Sequence, residues 1–286
     1  MDRPENGISC ATELFAVCRT WCDIVRSCPL LWTNVSIHAR IILSQEAEAH
    51  LLVKEWLARS KTLPIDLYVF GTRQYRMESP FPYPSHCEGP SNIQLATVLA
   101  ESSNRWRSIS FNVPASFVHQ LCDIAHDLSQ LRYVKYGYKC FRGDWNDVSF
   151  QWRERLSPRK LKLRSELSSS LLEAFNVQTD SLTYLKVNSM TTDRCIDIIR
   201  LSPMLRFFET GLSNEGVMPH SPTVHNVLES FSLLWSPRPG LVDQVLSSLT
   251  LPRLHTLNLD LVGDHDKNII EDFLHRSAAP ITSMEL

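Results

Sequence analysis

The sequence predicts an α/β solenoid: a curved parallel sheet with helices and loops on its convex side, behind a short α-helical N-terminal cap. Three observations predict it. Segments of the form apolar-x-x-apolar-x-apolar recur at near-constant intervals. Several stretches between them carry apolar residues at helical spacing. The N-terminal stretch reads as a helix that ends at a proline.

The elements follow in chain order. Leu14, Val17, Cys18, Trp21, Ile24 and Val25 recur at helical spacing, and the run stops at Cys28 and Pro29, since proline cannot continue the helix. Trp32 to Ile37 then alternates like a strand. Ala49–Ser60 reads as an amphipathic helix and Pro64–Val69 as a further strand. Residues 71–90 hold Pro80, Pro82, Pro84 and Pro90 with two glycines, which predicts a protruding loop insertion.

The repeated segment begins at positions 106, 131, 158, 182, 205, 228, 254 and 281, at intervals of 23 to 27 residues. Its clearest copies are Leu182, Leu185, Val187; Leu205, Phe208, Thr210; Leu228, Phe231, Leu233; and Leu254, Leu257, Leu259. Thr210 and Pro158 fit their slots poorly. Each copy alternates, so a short strand buries one face and leaves the other open. One such strand cannot bury its apolar face alone, and stacked neighbours make a parallel sheet with a shared core. A period of ~20–29 residues is that of leucine-rich repeats.

Between the copies, Phe117, Val118, Leu121, Cys122, Ala125 and Leu128 share one helical face. Cys195, Ile196 and Ile199 do the same after Thr191, Thr192 and Asp193, a capping sequence. Val242, Val245, Leu246 and Leu249 form a third set, and Ile269, Ile270, Phe273 and Leu274 a fourth. Residues 212–227 contain Gly216, Pro219 and Pro222 and read as loop. The aromatic-rich stretch 137–155 fits a helical turn or an extra hairpin equally. Repeats end best on a capping segment, whereas the chain stops at Leu286 inside the last predicted strand; that bare edge predicts association or fraying and points to an incomplete chain.

Composition narrows the function classes. A formal net charge of -2 gives no field favouring nucleic acid or anionic membrane. No apolar run reaches the length of a membrane span, and the N-terminus lacks the apolar core of a signal peptide. The eight cysteines form no CxxC pair, so we expect reduced thiols, mostly small core residues, in a chain of the cytoplasm or nucleus. His119, Cys122 and His126 have suggestive spacing, but Cys122 belongs to a buried stripe and no zinc-like partner pair exists, so no metal is expected. Walker A, GxGxxG, GxSxG and HExxH motifs are absent, which predicts no enzyme and no cofactor.

The N-terminal residues carry a resemblance. Val17, Cys18, Arg19 and Trp21, followed by Ser27, Cys28, Pro29, Leu30, Leu31 and Trp32, resemble the end of an F-box-like domain. The likeness is to the F-box-like/leucine-rich-repeat families of mushroom-forming fungi, in which a helix like Trp56–Ser60 and repeats follow. Asp272 to Ser277 with Pro280 to Met284 also looks like one repeat of that family. The resemblance implies that residues 1–38 are a partial F-box-like segment and 39–286 a leucine-rich-repeat domain. It implies binding to the Skp-type adaptor of a cullin–RING ubiquitin ligase through Leu14, Val17, Cys18, Trp21, Ile24, Pro29, Leu31 and Trp32. A complete F-box begins with a Leu-Pro-x-Glu segment and a first helix; residues 1–10 contain neither, which points to a truncated or degenerate member.

The repeats would hold the target protein. In register, the open columns bring together Tyr133, Lys160, Tyr184 and Phe207 in one, and Lys135, Lys162 and Lys186 in the next, with Arg164 alongside. Stacked lysines predict an acidic or phosphorylated target, with the aromatics adding apolar contact. Lysines that merely splay into water and keep an open sheet soluble are the competing reading. The basic run from Arg153 to Arg164 alternates with Leu161 and Leu163, which fits a strand with one solvated face better than a nucleic-acid patch. Two functions stay open: a substrate receptor of a ubiquitin ligase, and a repeat scaffold that binds a partner without adaptor coupling.

Overall fold

The computed structural model describes residues 17–38, 49–70, 90–113, 115–137, 151–164, 172–213, 222–234, 236, 238, 240–259 and 267–285. Leu14, the insertion 71–89 and the aromatic stretch 138–150 lie outside them. The chain divides into two compact units, residues 1–140 with 146–156 and residues 141–145 with 157–286.

In the first unit, helix α1 (Arg19–Ser27) and a tight turn at Pro29–Trp32 lead into strand β1 (Asn34–His38). Helix α2 (Ala49–Arg59), strand β2 (Ile65–Phe70), helix α3 (Pro90–Ala100), strand β3 (Trp106–Asn112), helix α4 (Ala115–Ile124) and strand β4 (Tyr133–Tyr136) follow. The four strands form a parallel sheet in sequence order. Val35, Leu67, Ile109 and Val134 occupy one rung of it, and all are buried.

The second unit contains β5 (Lys160–Leu163), β6 (Tyr184–Val187), α5 (Thr192–Leu201), β7 (Phe207–Thr210) and β8 (Thr223–Val224). It continues with β9 (Ser230–Leu233), α6 (Leu241–Ser247), β10 (Leu249–Thr250), β11 (Thr256–Leu259), α7 (Lys267–Ser277) and β12 (Ser283–Glu285). Strands β5, β6, β7, β9, β11 and β12 pair in parallel, each with the next. Leu185, Phe208, Phe231, Leu257 and Met284 stand on consecutive strands at one level. Phe208 and Phe231 stack with ring centroids 5.8 Å apart.

The alternation expected from sequence accounts for this register. A slip of one residue would turn the apolar set outward, so the buried face pins it. The ladder also extends one residue before each strand: the amide of Thr183 donates to Arg159 O, Arg206 to Thr183 O, Glu229 to Arg206 O and His255 to Glu229 O, at 2.8–3.0 Å. Both poorly fitting residues belong to the core. Pro158 is buried in its slot, and Thr210 is buried with its hydroxyl donating to Gly211 O at 2.9 Å.

Several expectations are corrected. Pro90 does not close a loop but opens α3, where proline is tolerated because its missing N–H has no helical partner. Trp32 lies in the turn before β1, not in the strand, because Pro29 starts a helical turn there. Within the expected loop 212–227, Thr223 and Val224 form β8, which pairs in parallel with β10; Leu249 therefore ends in a strand, not in the helix of Val242, Val245 and Leu246. Thr191 sits at the N-cap of α5, but its hydroxyl makes no capping bond. The expected curvature is also corrected, for the sheet is not curled.

Candidate functional site

The open face of the second unit is built from residues that the core does not use. Burying Leu161, Leu163, Leu185, Val187 and Phe208 turns Lys160, Lys162, Tyr184, Lys186, Phe207 and Glu209 to the other side. Register places Lys160, Tyr184 and Phe207 in one row and Lys162, Lys186 and Glu209 in the next. The Tyr184 and Phe207 rings lie 6.2 Å apart, tilted by 34°. Phe207 is 42% exposed, a large apolar surface for a side chain with no core role.

The electrostatics differ from a simple lysine stack. Lys162 and Lys186 do sit directly opposite each other, an arrangement that destabilises unless each charge finds relief. Each does. Lys186 pairs with Glu209 on β7, and both side chains are three-quarters covered. The Lys162 ammonium lies 5.3 Å from the centroid of the Tyr184 ring, within cation–π range. Glu209 therefore removes one of the expected charges from the patch. Lys160 and Arg164 are exposed. In the first unit, Tyr133 and Lys135 are half-buried on the open side of β4, opposite Ser108 and Ser110 of β3.

The N-terminal residues separate into two sets. Trp32 is 3% exposed and donates its indole N–H to Val25 O at 2.8 Å. Trp32 and Val25 form a small core with Leu31 and Trp56, and the Arg59 guanidinium covers the Trp32 ring at 4.6 Å. Helix α1 is thus held through Val25, near its end. Trp21, one turn before Val25 on the same stripe, Ile24 and the flanking Val17 and Leu30 remain at 43%, 46%, 61% and 67% exposure. Cys18 is exposed, and Cys22, Pro29 and Leu31 are half-buried. Cys18 thus stands outside the core, whereas Cys122 and Cys195 are buried in it, and burial pushes both thiols up from their ordinary range.

Two groups escaped the sequence reading. On β2, Tyr68 and Phe70 stack 6.2 Å apart on the open side, and Asp66 accepts from Arg107 Nε at 3.0 Å and from Ser108 Oγ at 2.8 Å. Their signal was available: Ile65, Leu67 and Val69 alternate with Asp66, Tyr68 and Phe70 as in the later strands. His119 pairs with Asp123 at 3.2 Å. Among the described residues, no group of three His, Cys, Asp or Glu side chains could hold a metal ion, and no helix is long and apolar enough to cross a membrane. No protein-family model and no curated protein matches the chain.

Proposed function

We propose that this chain is a protein-interaction module without catalytic chemistry of its own: an F-box-like substrate-recognition subunit of a Skp/cullin/RING ubiquitin ligase. In this reading the strand units are leucine-rich repeats of a solenoid, and their open face receives the target. The observation that carries the adaptor half is the incompletely covered apolar stripe of helix α1. Val25 packs on Trp32 at the end of the helix, while Trp21, one turn earlier on the same stripe, Ile24 and Leu30 of the following turn stay largely in solvent. Large apolar side chains left in solvent on a helix anchored at one end are the kind of surface that a partner covers.

The test is capture of purified Skp adaptor by the full chain, compared with a Trp21→Asp/Ile24→Asp variant. Both positions are exposed, so folding, followed by circular dichroism, stays unchanged. Retention by the parent chain and a loss of about thirtyfold or more in the variant support the proposal, since buried aromatic anchors contribute ~2 kcal/mol or more at interfaces. A parent chain that fails to retain the adaptor leaves the other reading, a repeat scaffold that binds its partner without ligase coupling.

A further inference from the structure

We propose that strand β5 and its neighbour β6 form a docking strip for an extended acidic segment of a partner protein, with carboxylates at every second position. The inference rests on reading the open face as the target-binding surface, and names the chemistry of that target.

The charge on this face is arranged in a line. Lys160 and Lys162 lie two residues apart on the open side of β5, and Arg164 continues the alternation beyond the strand. Residues i and i+2 of a strand are ~6.6 Å apart. An extended peptide has the same repeat, so alternating carboxylates on a chain laid along β5 meet successive cations. Among the described residues, no carboxylate pairs with Lys160, Lys162 or Arg164, whereas the neighbouring cations Lys186 and Arg206 are taken by Glu209 and Glu229. On this face the unmatched charge follows one strand and its extension, which suits a partner that supplies the opposite sign.

The same geometry argues against other anions. A phosphate group is gripped best by cations that converge on one point; these are spread along a strand. A nucleic acid needs a broad positive surface, yet Glu209 lies two strands away in the same row as Lys162. Tyr184 and Phe207 stand beside Lys160 in its row, so the strip has an apolar flank. A leucine or aromatic residue next to the acidic run would fill it.

Fluorescence anisotropy on the full chain tests this with four labelled probes of equal length. They are a peptide of alternating glutamates containing one leucine, the same residues in block order, a peptide with one phosphoserine, and a single-stranded DNA. The alternating peptide is expected to bind tightest. Lys160→Glu/Lys162→Glu should weaken it about tenfold or more, with Arg253→Glu, on another exposed surface, as an unaffected control. Equal binding of the two peptide orders, tighter binding of the phosphopeptide or the DNA, indifference to the charge reversal, or no binding at all each overturns the inference. Adaptor capture measured on the same preparations separates the failures: a charge-reversed chain that still retains the adaptor leaves the receptor reading standing when the strip fails.

Discussion

His225, just after β8, ties that segment to the one that follows α5 by donating from Nε2 to the carbonyl oxygen of Ser202, 2.9 Å away. Its other ring nitrogen fixes this direction. Nδ1 accepts from the amides of Leu228 at 3.0 Å and Val227 at 3.4 Å, so it carries no proton, and the neutral imidazole keeps its single N–H on Nε2. His225 is 5% exposed, and Ser202 and Leu228 are buried, so these groups have no water as a substitute. His225→Leu should therefore lower stability by ~1–3 kcal/mol, the cost of leaving buried polar groups unmet. Urea unfolding followed by circular dichroism checks it; a change under ~0.5 kcal/mol would show that the two segments are joined by apolar packing alone.

Adjacent residues on β7 give a second test, because strand parity assigns them opposite fates. Phe208 is 1% exposed and stacks on Phe231, while Phe207 faces out beside Tyr184. Phe208→Ala should cost ~3–5 kcal/mol through lost burial and the cavity left behind. Phe207→Ala should change stability by no more than ~0.5 kcal/mol. Thermal unfolding of the two variants side by side decides the register of this strand; a larger loss for Phe207→Ala would reverse its inner and outer faces, and equal losses would remove the distinction between them.

What the sequence revealed follows from how many residues share each signal. Strand parity repeats from Trp106 to Met284, so single misfits such as Pro158 and Thr210 could not hide it. Signals confined to one place were lost. Helix α3 buries Leu95, Ala96, Val98, Leu99 and Ala100 around most of its circumference, which leaves little one-sided periodicity, and the prolines before it point to loop. The β8–β10 pair is two residues long on each side and has no pattern to detect. For the candidate site, the columns placed Lys162, Tyr184, Lys186 and Phe207 together. They could not show that Lys186 is spent on Glu209, since that depends on rotamers across two strands.

Arg105 predicts that a cation can be structural in this chain without an acidic partner. Its guanidinium reaches the end of α2, donating to Ser60 Oγ at 2.8 Å, to Leu57 O at 3.2 Å and to Lys61 O. Leu57 O is among the last carbonyls of the helix, which lack intrahelical N–H donors, and Lys61 lies just beyond its end. Arg105→Met keeps much of the stem and removes the donors. It should cost ~1–2 kcal/mol by chemical denaturation, and Arg105→Lys should recover only part of that, because one ammonium cannot span the same acceptors. Full recovery by lysine would reduce the role to charge near a helix C-terminus.

The buried thiol of Cys195 makes stability depend on pH in a defined direction. It lies on α5 at 0% exposure, and burial pushes its ionisation above the ordinary range. A thiol raised in the folded state stays protonated there while the unfolded chain ionises near pH ~8.5. The folded protein then binds more protons than the unfolded one, so the stabilisation is fully present below pH ~8.5 and is lost as pH rises through the alkaline range. One such group contributes a slope of ~1.4 kcal/mol per pH unit. Cys195→Ala removes that contribution. Between pH ~9 and ~10 the parent should lose ~1 kcal/mol more than the variant in parallel urea titrations. Parallel losses in the two chains would mean that the thiol ionises as readily folded as unfolded, and hence that α5 admits water to its inner face.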